Sequence, residues 1–438
     1  MKKPFGIVSI PKIPELRKRL LITLGLLVVY RIGIFIPTPG VDIAALKEFF
    51  QRAEGTLFGL FNLFSGGAME NSSIFALGVM PYITASIIME LLSGVFPKIA
   101  ALKKEGELGR KKINQYARYM TVGIAFLQGM FWAISIESST GLGGESLAIS
   151  PGVFFKLQTA FALCVGTLSL MWLGEQITEK GIGNGISLII YAGIVIRIPA
   201  AVGNAFTLMR SGEFSPFQGV FALAIMAAAV SLIVFMERSH RKIPIQYASR
   251  IMGRKVLGGA STFLPLKVNT AGVIPPIFAS SLLMFPLTIA NFAKNPITDR
   301  ISAILSPGTI MYNFFYFVLI IFFAFFYTGV VFNPVDISEN LQKWGGFIPG
   351  IRPGKNTSDF IDKILSKITL FGGIYLGVVC ILPSFFVRGL NVPFWFGGTA
   401  LLIAIGVAMD TVQQIESFLI MGSYDGMVGG VKMKGRRM

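Results

Sequence analysis

Charge is what this chain has least of. Only 14% of its 438 residues are Asp, Glu, Lys or Arg, where an ordinary soluble protein carries about 25%. With 53% hydrophobic residues and a mean hydropathy of +0.68, a water-soluble globular protein is excluded. One histidine, His240, and two cysteines, Cys164 and Cys380, supply neither a metal cluster nor a disulfide framework, and both cysteines lie in apolar runs as packing residues. There is no HExxH, and no span holds two carboxylates at helical spacing, so intramembrane hydrolysis lacks its catalytic set. Glu90, Glu175 and Asp410 fall towards span ends and suit interfacial solvation, whereas an ion-coupled carrier wants ionisable groups near the midplane. PGIRPGKN contains a Gly-Lys pair, but a phosphate-cradling loop needs Gly at 349 and Ser or Thr at 356; the chain has Pro349 and Asn356. GIGNG (181–185) follows no strand and reads as the start of a span or a point of close helix packing. No enzymatic activity and no cofactor are expected.

What the chain does have is ten long apolar runs, at roughly 20–37, 73–93, 116–136, 153–173, 182–199, 217–236, 269–290, 309–333, 367–387 and 395–418. They are continuously apolar, without the alternation of barrel strands, so each predicts a membrane helix. The basic start MKKPFGIVSIPKIPELRKRL leads into a full-length run, unlike a removable leader. Thirty of the 39 Lys and Arg residues fall at the two termini and in the loops after the second, fourth, sixth and eighth runs. The opposite loops hold seven: Lys47, Arg52, Arg197, Arg210, Lys294, Arg300 and Arg388. The positive-inside rule therefore places both termini in the cytoplasm.

The ten runs divide into halves at 1–198 and 217–438, joined by an extracytoplasmic connection at 199–216. Because five is odd, the halves enter the membrane from opposite faces, as in inverted-repeat folds with a pathway between them. The fold class is an all-α integral membrane protein of ten transmembrane helices in two inverted five-helix halves. Its 49 glycines permit close helix approach, and Pro81, Pro275 and Pro276 predict kinks. Two cytoplasmic loops, 237–269 and 338–365, are longer than a connection requires. The first alternates at Ile243, Ile245 and Tyr247 and predicts a projecting hairpin. These basic loops suit either anionic lipid or a large cytosolic partner, such as one carrying RNA, and their length favours a docking surface. A further stretch fits neither span nor loop: GLFNLFSGGAMEN (59–71) has one apolar turn, then Ser65-Gly66-Gly67, too short to cross and too apolar to sit in water.

Five motifs, in order, carry a resemblance: FNLFSGGAMENSSIFALGVMPYITASIIMELL, LGEQITEKGIGNGISLIIYAGIV, LPLKVNTAGVIPPIFASS, PGIRPGKNT and FGGTALLIAIGVAMDT. Together the chain resembles the SecY family, the channel-forming subunits of the bacterial Sec protein translocon, over essentially its whole length. The resemblance implies a central hourglass pore that passes secretory polypeptides across, and releases transmembrane segments laterally into, the cytoplasmic membrane. A secondary transporter of a small solute is the alternative. It implies that the stub is a plug (Phe61, Asn62, Leu63, Phe64, Ser65, Gly66 and Gly67, running to about Glu70). It implies a pore ring of Val79, Ile83, Ile186, Ile190, Ile274 and Ile403, although aliphatic side chains on such faces equally suit an ordinary core. Val79 departs from the family, where isoleucine is common. A lateral gate would involve Thr84, Gln128 and Ser281. Motor or ribosome docking would use Arg241, Lys242, Arg250, Arg254, Lys255, Arg352 and Lys355. The implied partners are SecE and SecG, the SecA ATPase and the ribosome at the cytoplasmic loops, precursor proteins and the lipid bilayer.

The charge division yields a direct expectation. A cysteine at Ser239 reacts with an impermeant thiol reagent only from the cytoplasmic side, and one at Ser139 only from outside. Labelling of Ser239 from outside would remove the ten-span topology.

Overall fold

The structure, a computed structural model, describes residues 14–52, 62, 65–138, 147–211, 215–247, 250–252, 255–257, 261–292, 300, 303–306, 309–390 and 398–428. Ser139 lies outside this set. In chain order the elements begin with α1 (Pro14–Gly33), α2 (Ile43–Arg52), α3 (Met80–Val95), α4 (Pro97–Lys104), α5 (Glu107–Ser138) and α6 (Val153–Lys180). Next come α7 (Gly185–Val195), α8 (Ile198–Ser211) and α9 (Pro216–Arg238). An insertion after α9 supplies β1 (His240–Tyr247), β2 (Arg250–Met252), β3 (Lys255–Leu257) and β4 (Ser261–Lys267). The chain closes with α10 (Ile274–Phe292), α11 (Ile310–Val331), α12 (Pro334–Lys343), β5 (Gly346–Phe347), α13 (Lys355–Leu390) and α14 (Gly398–Val428).

Each of the ten apolar runs falls on a helix. Among the described residues, six helices (α5, α6, α9, α11, α13 and α14) are long and apolar enough to cross a membrane. α3 and α4 make a seventh span if counted as one, although they bend by 104° at Phe96. The other three runs fall on α1, whose first turns carry Glu15, Arg17, Lys18 and Arg19, and on the shorter apolar helices α7 and α10. Phe154, Phe217 and Ile310 are each about 80% exposed; a bilayer, not water, is the solvent that tolerates them.

The boundaries depart from the hydropathy reading in two places. The run from 73 does not begin a helix until Met80: residues 65–79 form turns, broken by positive φ at Gly66, Gly67, Ser72 and Gly78. Their backbone is satisfied partly by bonds within the turns and partly sideways. Thr38 N–H donates to the Ser72 carbonyl at 2.6 Å and Ile74 N–H to the Ile36 carbonyl at 3.0 Å. The expected connection at 199–216 is largely helical, because α8 runs to Ser211.

Cα packing divides the chain into two units. One comprises Met1–Met89, Ala101–Ala200 and Ile403–Met438, the other Glu90–Ala100 and Ala201–Leu402. In the first unit, α5 and α6 are stapled at opposite ends by Arg118–Glu175 (2.7 Å) and Lys156–Glu137 (2.8 Å). Between the staples a Cβ on Gly129 would lie 3.0 Å from Ala160 Cα, which is the close approach that glycine permits. GIGNG forms a knot between helices. Asn184 caps α7 by accepting from Ser187 N–H. The N–H groups of Ile182, Gly183 and Gly185 donate to Thr23 Oγ1 (3.0 Å), Gln414 Oε1 (2.8 Å) and Thr178 Oγ1 (2.9 Å). A loop whose amides are spent on α1, α6 and α14 has none of these three to offer a phosphate.

In the second unit, β1 pairs with β4 in an antiparallel hairpin, Ile243 opposite Leu264 and Ile245 opposite Thr262. The alternation at Ile243 and Ile245 is the expected one, with both side chains buried. Sequence did not show the third strand. β5, from the second basic loop, adds to β1 through Gln246–Phe347 and Tyr247–Gly346. Ile243, Ile245 and Leu266 then share one apolar core with Leu341, Ile348, Ile361 and Leu365. The two loops are one folded body rather than two projections.

Candidate plug seat and channel-lining residues

The stub is seated in the first unit by contacts from two directions. From α1, the Tyr30 hydroxyl donates to the Ser65 carbonyl (3.4 Å) and Arg31 Nη1 to the Gly66 carbonyl (3.3 Å). From the turn after α7, Arg197 Nη2 reaches Glu70 Oε2 at 3.2 Å. Asn62 ties the stub to itself, donating to Glu70 Oε2 (3.3 Å) while its Oδ1 accepts the Glu70 N–H (3.2 Å). Asn62, Ser65, Ala68 and Met69 are all buried. Phe61, Leu63 and Phe64 lie outside the described residues.

Two glycines fix how closely this segment approaches. Gly66 has φ +66°, and a Cβ there would lie 2.7 Å from Gly193 Cα. In the other direction, a Cβ on Gly193 would lie 3.2 Å from the Gly66 backbone. The seat is thus backbone against backbone, with no side chain between.

Of the ring candidates, Val79, Ile190 and Ile403 are buried, and Ile83, Ile186 and Ile274 are half-buried. Val79 precedes α3, but the Ile83 N–H donates to its carbonyl at 3.1 Å, so the pair keeps its i, i+4 relation on one face. Ile186 and Ile190 have the same relation on α7. Ile274 opens α10 and Ile403 lies in the first two turns of α14.

The gate candidates sit as follows. Thr84 donates to the Met80 carbonyl of its own helix at 3.0 Å. Gln128 is half-buried on α5. The Ser281 hydroxyl is buried and has no hydrogen-bond partner among the described residues. Of the docking candidates, Arg241, Lys242, Arg352 and Lys355 are exposed. Arg250 and Lys255 lie on β2 and β3, and Arg254 lies outside the described residues. The Arg352 backbone is held rigidly although its side chain is free: its carbonyl accepts from Thr357 Oγ1 at 2.9 Å, and the Gly354 carbonyl accepts from Ser338 Oγ at 2.7 Å. PGIRPGKNT is therefore the turn that starts α13.

Sequence reasoning missed Tyr30, Arg31, Gly193 and Arg197. The available signal was a lone arginine at the end of an apolar run, since a cation at that depth normally has a specific partner.

A polytopic helical membrane protein with a turn-rich segment, broken by glycines at positive φ and packed against its helices, points to the channel and transporter folds. The family model described as SecY matches residues 73–412. The protein translocase subunit SecY of Rickettsia bellii (strain RML369-C) is 46% identical over 422 residues, covering 96% of this chain and 97% of the relative. That of Escherichia coli (strain K12) is 47% identical over 427 residues, 96% of each chain. Among solved structures, a SecY whose plug domain is described as stabilising the closed state and maintaining a membrane seal has a TM-score of 0.64. It is 18% identical and covers 98% of this chain and 100% of its own. Sec61 in the canine ribosome–channel complex has a TM-score of 0.63 at 16% identity, with the same coverage. The chain belongs to the SecY family.

The glycine seat makes a prediction. Gly66→Ala imposes a left-handed backbone on an L-residue, costing roughly 1–2 kcal/mol, and overlaps Gly193, costing about 1–3 kcal/mol more. Gly193→Ala incurs only the second cost. A cysteine at buried Ser65 should react with an impermeant maleimide faster in Gly193→Ala than in the parent, and fastest in Gly66→Ala. Equal protection in all three would show that the close approach does not hold the segment.

Proposed function

We propose that this chain is the protein-conducting channel of a bacterial cytoplasmic membrane. Secretory polypeptides cross it through a ring formed by Val79, Ile83, Ile186, Ile190, Ile274 and Ile403, and apolar segments leave sideways past Thr84, Gln128 and Ser281. The observation that carries this reading is the seated stub: a buried segment held by two backbone-directed bonds, one ion pair and a glycine contact is a removable stopper, not a span. Its relatives' names support the substrate class, and the solved relative with a sealing plug supports the stopper. No observation favours the alternative of a small-solute carrier.

The ring would seal because aliphatic side chains offer an ion nothing in exchange for its hydration shell, so a narrow waist dewets. It yields to an extended polypeptide because it makes no directional bonds. A polar seam at the gate would contribute only about 0.6 kcal/mol per hydrogen bond, little enough for an arriving apolar helix to displace. We place both termini in the cytoplasm and the motive force outside the chain. SecE clamps the halves, SecG binds at the side, and the SecA ATPase or a ribosome docks on the β1–β5 body.

Planar-bilayer recording without substrate tests the channel. Ile403→Leu should leak almost nothing, deletion of residues 61–70 intermittently, and the deletion combined with Ile403→Asn most of all. A combined variant as ion-tight as the parent would show that neither element lines the pathway. Docking has its own test. Arg352→Glu should slow motor-driven export several-fold while leaving membrane abundance near the parent's, because the side chain is exposed and its backbone turn is held by Thr357 and Ser338. Loss of the protein from the membrane would assign Arg352 a structural role instead.

A further inference from the structure

We infer that the Glu70–Arg197 ion pair is a latch that sets how strongly apolar an arriving signal segment must be before the channel opens. The inference rests on reading residues 61–70 as the plug. Of the contacts that seat the segment, Tyr30 and Arg31 reach backbone carbonyls of Ser65 and Gly66, groups present whatever residues the segment carries. The contact to Arg197 is different: it joins side chain to side chain across 127 residues of sequence. Its strength is therefore chosen by this sequence.

The geometry suits a latch rather than a weld. Glu70 Oε2 receives both Arg197 Nη2 at 3.2 Å and Asn62 Nδ2 at 3.3 Å, so Asn62 holds the carboxylate in place to meet the guanidinium. Gly67 carries the turn beside Arg197 with φ +88°, a backbone conformation that residues with a Cβ rarely adopt. The two side chains are 35% and 29% exposed, so water and salt weaken the pair. A fully buried pair would be expensive to separate; this one biases the seated state without locking it. Arg197 is itself anchored in the turn between α7 and α8, its N–H donating to the Ile194 carbonyl at 3.2 Å. The latch thus connects the stub to the helix that carries Ile186 and Ile190.

Charge exchange tests this, with the chain reconstituted together with its co-purifying subunits. Glu70→Arg and Arg197→Glu should each raise the substrate-free open probability about two- to five-fold, the range that a partly exposed ion pair allows. Each should also raise export of a precursor whose signal has a shortened apolar core, relative to the intact precursor. The double exchange should return both readings towards the parent, and the milder Glu70→Gln should move both the same way if a reversal lowers membrane abundance. A double variant as leaky as the singles overturns the latch, as do single variants and Glu70→Gln that match the parent. Deletion of residues 61–70 separates the two levels: a leaking deletion beside ion-tight reversals leaves the plug standing and removes the latch, whereas an ion-tight deletion removes the plug reading itself.

Discussion

Every backbone amide and carbonyl at membrane depth must find a partner inside the protein, because hydrocarbon offers none. Helices meet this demand by themselves. The turns at 65–79 do so only in part, and neighbouring elements of the first unit supply the rest. The strand-like edge after α1 supplies Ile36 and Thr38 to Ile74 and Ser72, Arg31 takes the Gly66 carbonyl, and Ser73 Oγ donates to the Gly33 carbonyl at 3.0 Å. An irregular segment that needs so many outside partners is also one that can be released by losing them. The same constraint makes the stub expensive to place.

The sequence reveals helices better than it reveals their ends. Hydropathy placed all ten runs on helices because a bilayer-length apolar stretch has few alternatives. It misplaced the start of α3, since residues 73–79 are as apolar as the helix that follows; Gly78 and Pro81 were the local signs that helix begins later. The period-two pattern at Ile243 and Ile245 was legible because both face one core. β5 was not, because a two-residue strand has no period and its pairing with β1 spans three intervening helices, α10, α11 and α12. The seat was half legible: Ser65-Gly66-Gly67 marked the end of the apolar turn, but its partner Gly193 is one glycine among 49, and nothing local marks Arg197 as the partner of Glu70. Non-local pairing of single charges leaves no trace in one sequence.

GIGNG shows how a motif changes meaning with its surroundings. Its glycines are required, but by neighbouring backbone rather than by a ligand: a Cβ on Gly185 would collide with the Gly174 carbonyl, and Gly183 has φ +87°. Thr23, Gln414 and Thr178 then use the amides that the turn exposes. The effect is to fix α7, and with it Ile186 and Ile190, against α1, α6 and α14.

The strand shared between the two basic loops bears on how the chain is made. The β1–β4 hairpin is complete once Lys267 has been synthesised, yet its edge and the apolar side chains of Ile243 and Ile245 await β5, which follows α10 and α11. Two crossings return the chain to the side from which it left, so β5 reaches the hairpin only if both helices have inserted in the correct sense. Were one of them skipped or inverted, β5 would be delivered to the opposite side of the membrane and the hairpin edge would lack its partner at Gln246 and Tyr247. The three-stranded sheet is in this sense a record of correct insertion.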